Sequence, residues 1–234
     1  MSEIARWQSD AQRCFNWISK MYEQAQTVWN DAWAMLEEEQ WDVQSGSGFG
    51  GIAMSMGDLA NWPFAYFRAM GATPCGSEDQ KHFKGVFFGF VFYDTKRDGP
   101  FCVAGVANWT DENTNCDHWT LYSAVNGDVD AAFENMFEND DMPVHLARVT
   151  DKGKRVRRGM GDVRWFEVPL GSLTSAERLR EIVQAAIALY SDDEQPARAV
   201  VAQSAERLGE STAEQGGAPD GAPNLAALGT APRG

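Results

Sequence analysis

The first fifteen residues, MSEIARWQSDAQRCF, contain no basic segment followed by an apolar run, so a simple secretory signal is not expected. The chain has no run of 18 apolar residues, which excludes a transmembrane helix of ordinary length. Cysteine is scarce. The four, Cys14, Cys75, Cys102 and Cys116, form no CxxC pair. Without an export signal they are expected to be free thiols in a reducing cytoplasm, where the sequon at Asn108 would stay unmodified. Positive charge is also in deficit, with 20 Lys and Arg against 34 Asp and Glu and a net charge of -14. That balance favours solubility and argues against the broad basic face of a bulk nucleic-acid binder.

Glycine and proline are missing from the first 45 residues. Apolar residues there fall at 4, 7, 11, 14, 15, 18, 21, 22, 25, 28, 29, 32, 33 and 36, a 3-4 alternation that predicts an amphipathic helix over about 3–39. Unbroken, it would span roughly 55 Å. Trp7, Phe15, Tyr22, Trp29 and Trp33 make its stripe unusually aromatic. The helix is expected either to break or to project in part; its stripe is expected to pack on the chain's own sheet, with a helix-mediated dimer or partner contact as the alternative, since a wide exposed stripe is normally covered.

Aromatics run out toward the other end, with no Trp after Trp165 and none of any kind after Tyr190. A single domain is therefore expected over 1–190, followed by a low-complexity, mostly disordered tail over 191–234. Within that tail, ARAVVAQSAERL has the pattern of one weak helix.

Between these ends the pattern is largely that of strands. WDVQ (41–44) and 52–56 read as short strands around a Gly/Ser loop, which lacks the Lys-Ser/Thr of a phosphate loop. NWPFAYFRAM (61–70) predicts a helix with Pro63 in its first turn and Gly71 closing it. Phe and Val fill almost every position of 84–94, as a strand covered on both faces requires. FCVAGVANW (101–109) reads as its antiparallel partner, and the alternation in HWTLYSAV (118–125) predicts a third strand. GDVDAAFENMFENDD reads as a short acidic helix. VHLARV (144–149) and VRWFEVPL (163–170) read as strands of a hairpin. A final helix is expected at about 174–190, capped by Ser172 or Thr174. The sum is an α+β chain: one mostly antiparallel sheet of about five to seven strands, packed by a long N-terminal and a C-terminal helix.

No catalytic constellation stands out. Cys75, His82, Cys116 and His118 could supply four zinc ligands, but at no standard spacing. Asp58, Asp94 and Lys96 could hold Mg²⁺ and polarise water, yet DTKRDGP reads more simply as a polar turn. His118 beside Asp117 has Cys102 or Cys116 as a conceivable thiol partner, but neighbours on a strand point to opposite faces. No cofactor or metal is expected. The distinctive feature is a basic knot, Lys152, Lys154, Arg155, Arg157 and Arg158, on the loop of the predicted hairpin. Arg148 and Arg164 flank it. Three readings compete: neutralisation by the acidic segment 128–141, docking to an acidic protein surface, or contacts with phosphates, where Arg offers bidentate geometry. The function expected overall is a non-enzymatic interaction module or complex subunit in the cytoplasm. It would act through the aromatic helix face and the basic loop, with a protein partner or a second copy and no membrane. A nucleic-acid-associated protein is the alternative, and a metal-dependent hydrolase or nuclease the second.

Overall fold

The computed structural model describes residues 3–44, 67–76, 83–91, 99–109, 121, 124–125, 133–135, 143–151 and 160–214. The fold is α+β, with one antiparallel sheet and helices packed on it. Its strands are β1 (Trp41–Gln44), β2 (Phe67–Pro74), β3 (Phe83–Val91), β4 (Phe101–Trp109), β5 (Phe133–Asn135), β6 (His145–Val149) and β7 (Met160–Pro169). They lie in the order β1-β2-β3-β4-β7-β6-β5, and every pairing is antiparallel. The helices are α1 (Glu3–Glu38), α2 (Ala176–Tyr190) and α3 (Gln195–Glu214).

The central strands are apolar at nearly every position because both faces of the sheet are covered. On one face Val86, Phe88 and Phe90 of β3, Cys102, Ala104 and Val106 of β4, and Phe166 and Val168 of β7 join a core with all three helices. On the other face Phe87, Val91, Phe101, Val103, Ala107, Val163 and Trp165 pack together with Leu121, Ala124 and Val125. The alternation is strict along each strand, so a one-residue slip would exchange the two cores.

Glycine is required at one point of this arrangement. Gly105 lies opposite Trp165, and a Cβ placed on it would stand 2.0 Å from the Arg164 carbonyl oxygen. Backbone, not a movable side chain, blocks that space.

The helix layer follows the sheet. Trp29 of α1 sets its ring 6.4 Å from Phe90. Helix α2 packs over β3 and β4 between α1 and α3, and α3 lies over β7. Ser175 caps α2, its Oγ accepting from the Arg178 N–H at 3.1 Å. The expected caps sit just upstream. Ser172 is buried in a 3-10 turn, Leu170–Ser172, and its hydroxyl donates to the Pro169 carbonyl at 2.8 Å.

Several expectations are corrected. Phe67–Met70 is strand, not helix, and Gly71 continues it; pairing to β1 on one side and β3 on the other outweighs the helix preference of Ala, Arg and Met. Leu121, Ala124 and Val125 are helical, not strand. Leu121 and Val125 suit either period, but Ala124 shares their core cluster, which fits the i, i+3, i+4 face of a helix and not the alternating faces of a strand. Phe133–Asn135 is an edge strand, not acidic helix, held by pairing with β6. The packed unit also passes the expected boundary at 190, because α3 places Ala197 and Val200 in the core. The predicted strand at 52–56, the remainder of the 61–70 helix and the tail from 215 onward lie outside the described residues.

Gly105→Ala should disrupt the β4–β7 pairing and cost at least about 3 kcal/mol, the upper range for overpacking a core. Chemical denaturation or soluble yield would measure it; stability within about 0.5 kcal/mol of the parent would contradict this account of the strand contact.

Candidate functional site

The basic knot of the sequence separates into parts with different roles. Lys152, Lys154, Arg155, Arg157 and Arg158 lie outside the described residues. Their anchors do not. The β6–β7 hairpin is shown by its register, with His145 opposite Trp165 and Ala147 opposite Val163. At its loop end the Val149 N–H donates to Asp162 Oδ1 at 3.1 Å. The basic loop therefore leaves from the end of the sheet where β3 begins and β4 ends. The acidic segment reaches the same place, because β5 sets Glu134 opposite Arg148. Trp165 is fully buried, which removes it as a surface for stacking bases.

Arg164 belongs to a different construction. With Lys84 it closes the C-terminus of α2. Arg164 donates to the Leu189 carbonyl at 3.0 Å and pairs with Asp192. Lys84 donates to the Tyr190 carbonyl, lies 4.9 Å above the Tyr190 ring and pairs with Asp192 at 3.4 Å. Two cations thus meet the negative end of the helix, where carbonyl groups lack intrahelical partners. The turn itself is a Schellman closure. The Asp193 N–H donates to the Ala188 carbonyl at 3.0 Å and the Asp192 N–H to that of Leu189 at 3.0 Å. Its left-handed position, normally glycine, is Asp192 at φ 63°. The Arg164 hydrogen bond, followed by the Lys84 charge, holds the exposed Asp192 carboxyl below the usual aspartate range.

These groups line an open cleft of about 270 Å³ together with Val106, Asn108, Leu146 and Asp162. Its formal charges balance, two cations against Asp162 and Asp192, and helix carbonyls add negative potential. An anion would meet no net positive field there. The cleft is best explained as the lock between α2 and the sheet.

A second lock holds α3. Arg178 is buried, at 1% exposure, and its guanidinium donates to Glu181 at 2.6 Å, to Gln203 at 2.8 Å, and to the Val200 carbonyl and Ser204 hydroxyl. Its planar fork reaches both sides of one α3 turn, which a lysine could not match. Neither lock was legible in the sequence, since each joins residues far apart in the chain.

The helix stripe divides. Trp29 is a core residue at 5% exposure, and Trp33 packs against the core while its indole N–H donates to Glu37 at 2.7 Å. Trp29 thus serves the core, while Trp33 is partly buried against it. Trp7 stands in solvent at 72% exposure. Phe15 and Tyr22 lie on α1 between them, where the backbone is described. Cys14, Lys20 and Glu23 are exposed, and among the described side chains of α1 Ala25 is the first that is buried.

Of the residues weighed for chemistry, Cys102 is fully buried, and desolvation raises its thiol pKa far above the usual range. It is no nucleophile. Cys75 is an exposed free thiol. Asp58, His82, Asp94, Lys96, Cys116, Asp117 and His118 lie outside the described residues. Among the described residues no three His, Cys, Asp or Glu side chains cluster as a metal site, and no helix is long and apolar enough to cross a membrane. No family model, curated protein or solved structure matches the chain.

Two outcomes follow from the locks. Arg178→Ala should cost about 3 kcal/mol, through lost charge-assisted bonds and a cavity, and should loosen α3 first. Proteolysis would read this as cleavage within 195–214, with α2 intact. Asp192→Asn keeps a residue tolerant of positive φ but removes the charge. Because the folded pKa is lowered, the parent's advantage over Asp192→Asn should be full at neutral pH. It should fade as pH falls through the aspartate range, near about 3.9 and below. Paired thermal melts from pH 7 to 3 test the sign.

Proposed function

We propose that this protein is a non-enzymatic interaction module or complex subunit whose first contact is the outer part of α1, residues 3–24. One observation carries the proposal. The apolar stripe runs from Ile4 to Leu36 on a single unbroken helix, but its described core begins only at Ala25, and Trp7 is left 72% exposed. A helix of 36 residues spans about 54 Å, against roughly 33 Å for the 10 residues of β7, the longest described strand. Its outer 22 residues make an arm of about 33 Å. A stripe of this width is normally covered by another surface.

The basic loop 152–158 is the second proposed contact. Arg148 and Arg164 are anchored in strands, so five cations remain on the loop. Its roots lie beside β5 of the acidic segment. A protein surface carrying acidic groups suits such a small patch on a chain of net charge -14 better than duplex nucleic acid does. We place the protein in the cytoplasm, which suits the exposed free thiols of Cys14 and Cys75.

A photo-crosslinker at position 7 tests the arm, with the same group at exposed Asn30, which lies off the stripe, as control. Position 7 should join another polypeptide at several times the yield of position 30. Equal yields, or products only within one chain, would remove the arm as an intermolecular contact. Arg155→Ala with Arg157→Ala and Arg158→Ala should lower the intermolecular yield and its salt sensitivity if the loop contributes. Binding of nucleic acid lost in that triple variant would favour the alternative instead.

A further inference from the structure

We infer that the occupant of the α1 arm is a second copy of the same chain, packed antiparallel over residues 4–22. The inference rests on the arm being an intermolecular contact and names what it contacts.

Three features of the arm suit self-pairing. The first is charge. Glu3, Asp10 and Glu23 are matched by Arg6, Arg13 and Lys20, so residues 3–24 are neutral in a chain of net charge -14. Two arms can approach without the repulsion that two whole chains carry. The second is spacing. Ile4, Trp7, Ala11, Cys14, Ile18 and Met21 follow steps of 3, 4, 3, 4 and 3 residues, the heptad seam of paired helices. Ala25, Val28, Ala32 and Met35 continue the same steps, and there the seam is packed on the sheet and α2. Each arm thus extends a face already proven to pack. The third is self-complementarity. A twofold axis between residues 11 and 14 sets Ile4 against the second copy's Met21, Trp7 against its Ile18 and Ala11 against its Cys14. The smallest pair falls at the centre, where the backbones can come closest. No like charges meet at the flanking positions, since Asp10 falls near Trp17 and Glu3 near Gln24. A symmetric two-copy contact needs this matching of one patch with itself.

Trp7, 72% exposed, is the largest described contact on the arm, since an aromatic side chain buries about 150–250 Å² when it is covered.

Sedimentation equilibrium of the full chain across a wide concentration range tests the inference. A concentration-dependent dimer is expected. Trp7→Glu and Cys14→Glu, at exposed positions on the seam, should each raise the dimer Kd by more than about tenfold. Ser9→Glu and Asn16→Glu, exposed and off the seam, should leave it unchanged. Unchanged circular dichroism separates lost pairing from lost folding. For orientation, Ala11→Cys in a Cys75→Ser background is oxidised mildly and the disulfide peptides are mapped. A bond between Cys14 and the new thiol at 11 of the other chain supports the antiparallel arrangement. Dimers joined only as 14 to 14 and 11 to 11 overturn it. A strict monomer at every concentration overturns self-pairing. If position 7 still crosslinks to a different polypeptide, the arm remains an interaction surface and only its assigned occupant fails.

Discussion

The middle strands of the sheet have no side that faces water. Phe87, Val91, Val103 and Trp165 fill one surface, and Phe88, Phe90, Ala104, Phe166 and Val168 the other. Everything else answers this constraint. One surface must be roofed by helices, and the chain provides α1, α2 and α3 for it. Gly105 must be a glycine because β4 and β7 approach too closely for a Cβ. The two polar locks then fix the roof. Lys84, Arg164 and Asp192 hold the end of α2 to the sheet, and Arg178 ties α3 to α2. Burial supplies the driving force, and the locks select the arrangement.

Much of this was legible in the sequence where one period dominates. The Phe and Val run of β3, its partner β4, the β6–β7 hairpin and the stripes of α1 and α2 follow from residue spacing alone. Legibility failed where two periods fit the same letters. Leu121 and Val125 suit a strand or a helix, and only the packing of Ala124 on the same core decides. It failed again where a segment takes its form from neighbours, as β2 does between β1 and β3 and β5 does against β6. Helix ends were obscured for a further reason: the left-handed turns after α1 and α2 use Gln40 and Asp192 in place of glycine. In the second case Asp192 provides a carboxylate that glycine could not.

The candidate contact surfaces changed shape in the same way. A five-residue aromatic face became two regions, with Trp29 in the core, Trp33 partly buried against it and Trp7 exposed. Of the two arginines that flank the basic loop, Arg164 belongs to the α2 lock and Arg148 stands on β6. Both changes come from long-range packing that no local pattern records. Helix α1 is thus one continuous element with two environments, an inner half that belongs to the core and an outer half on which Trp7 and Cys14 are exposed.

Hydrogen exchange along α1 as a function of protein concentration tests that division most directly. Amides in the inner half, around 25–36, should exchange only on global unfolding at every concentration. Those of 4–22 should exchange quickly in dilute protein and gain protection as concentration rises. Protection of 4–22 equal to that of the inner half at the lowest concentration, with no dependence on concentration, would contradict the account.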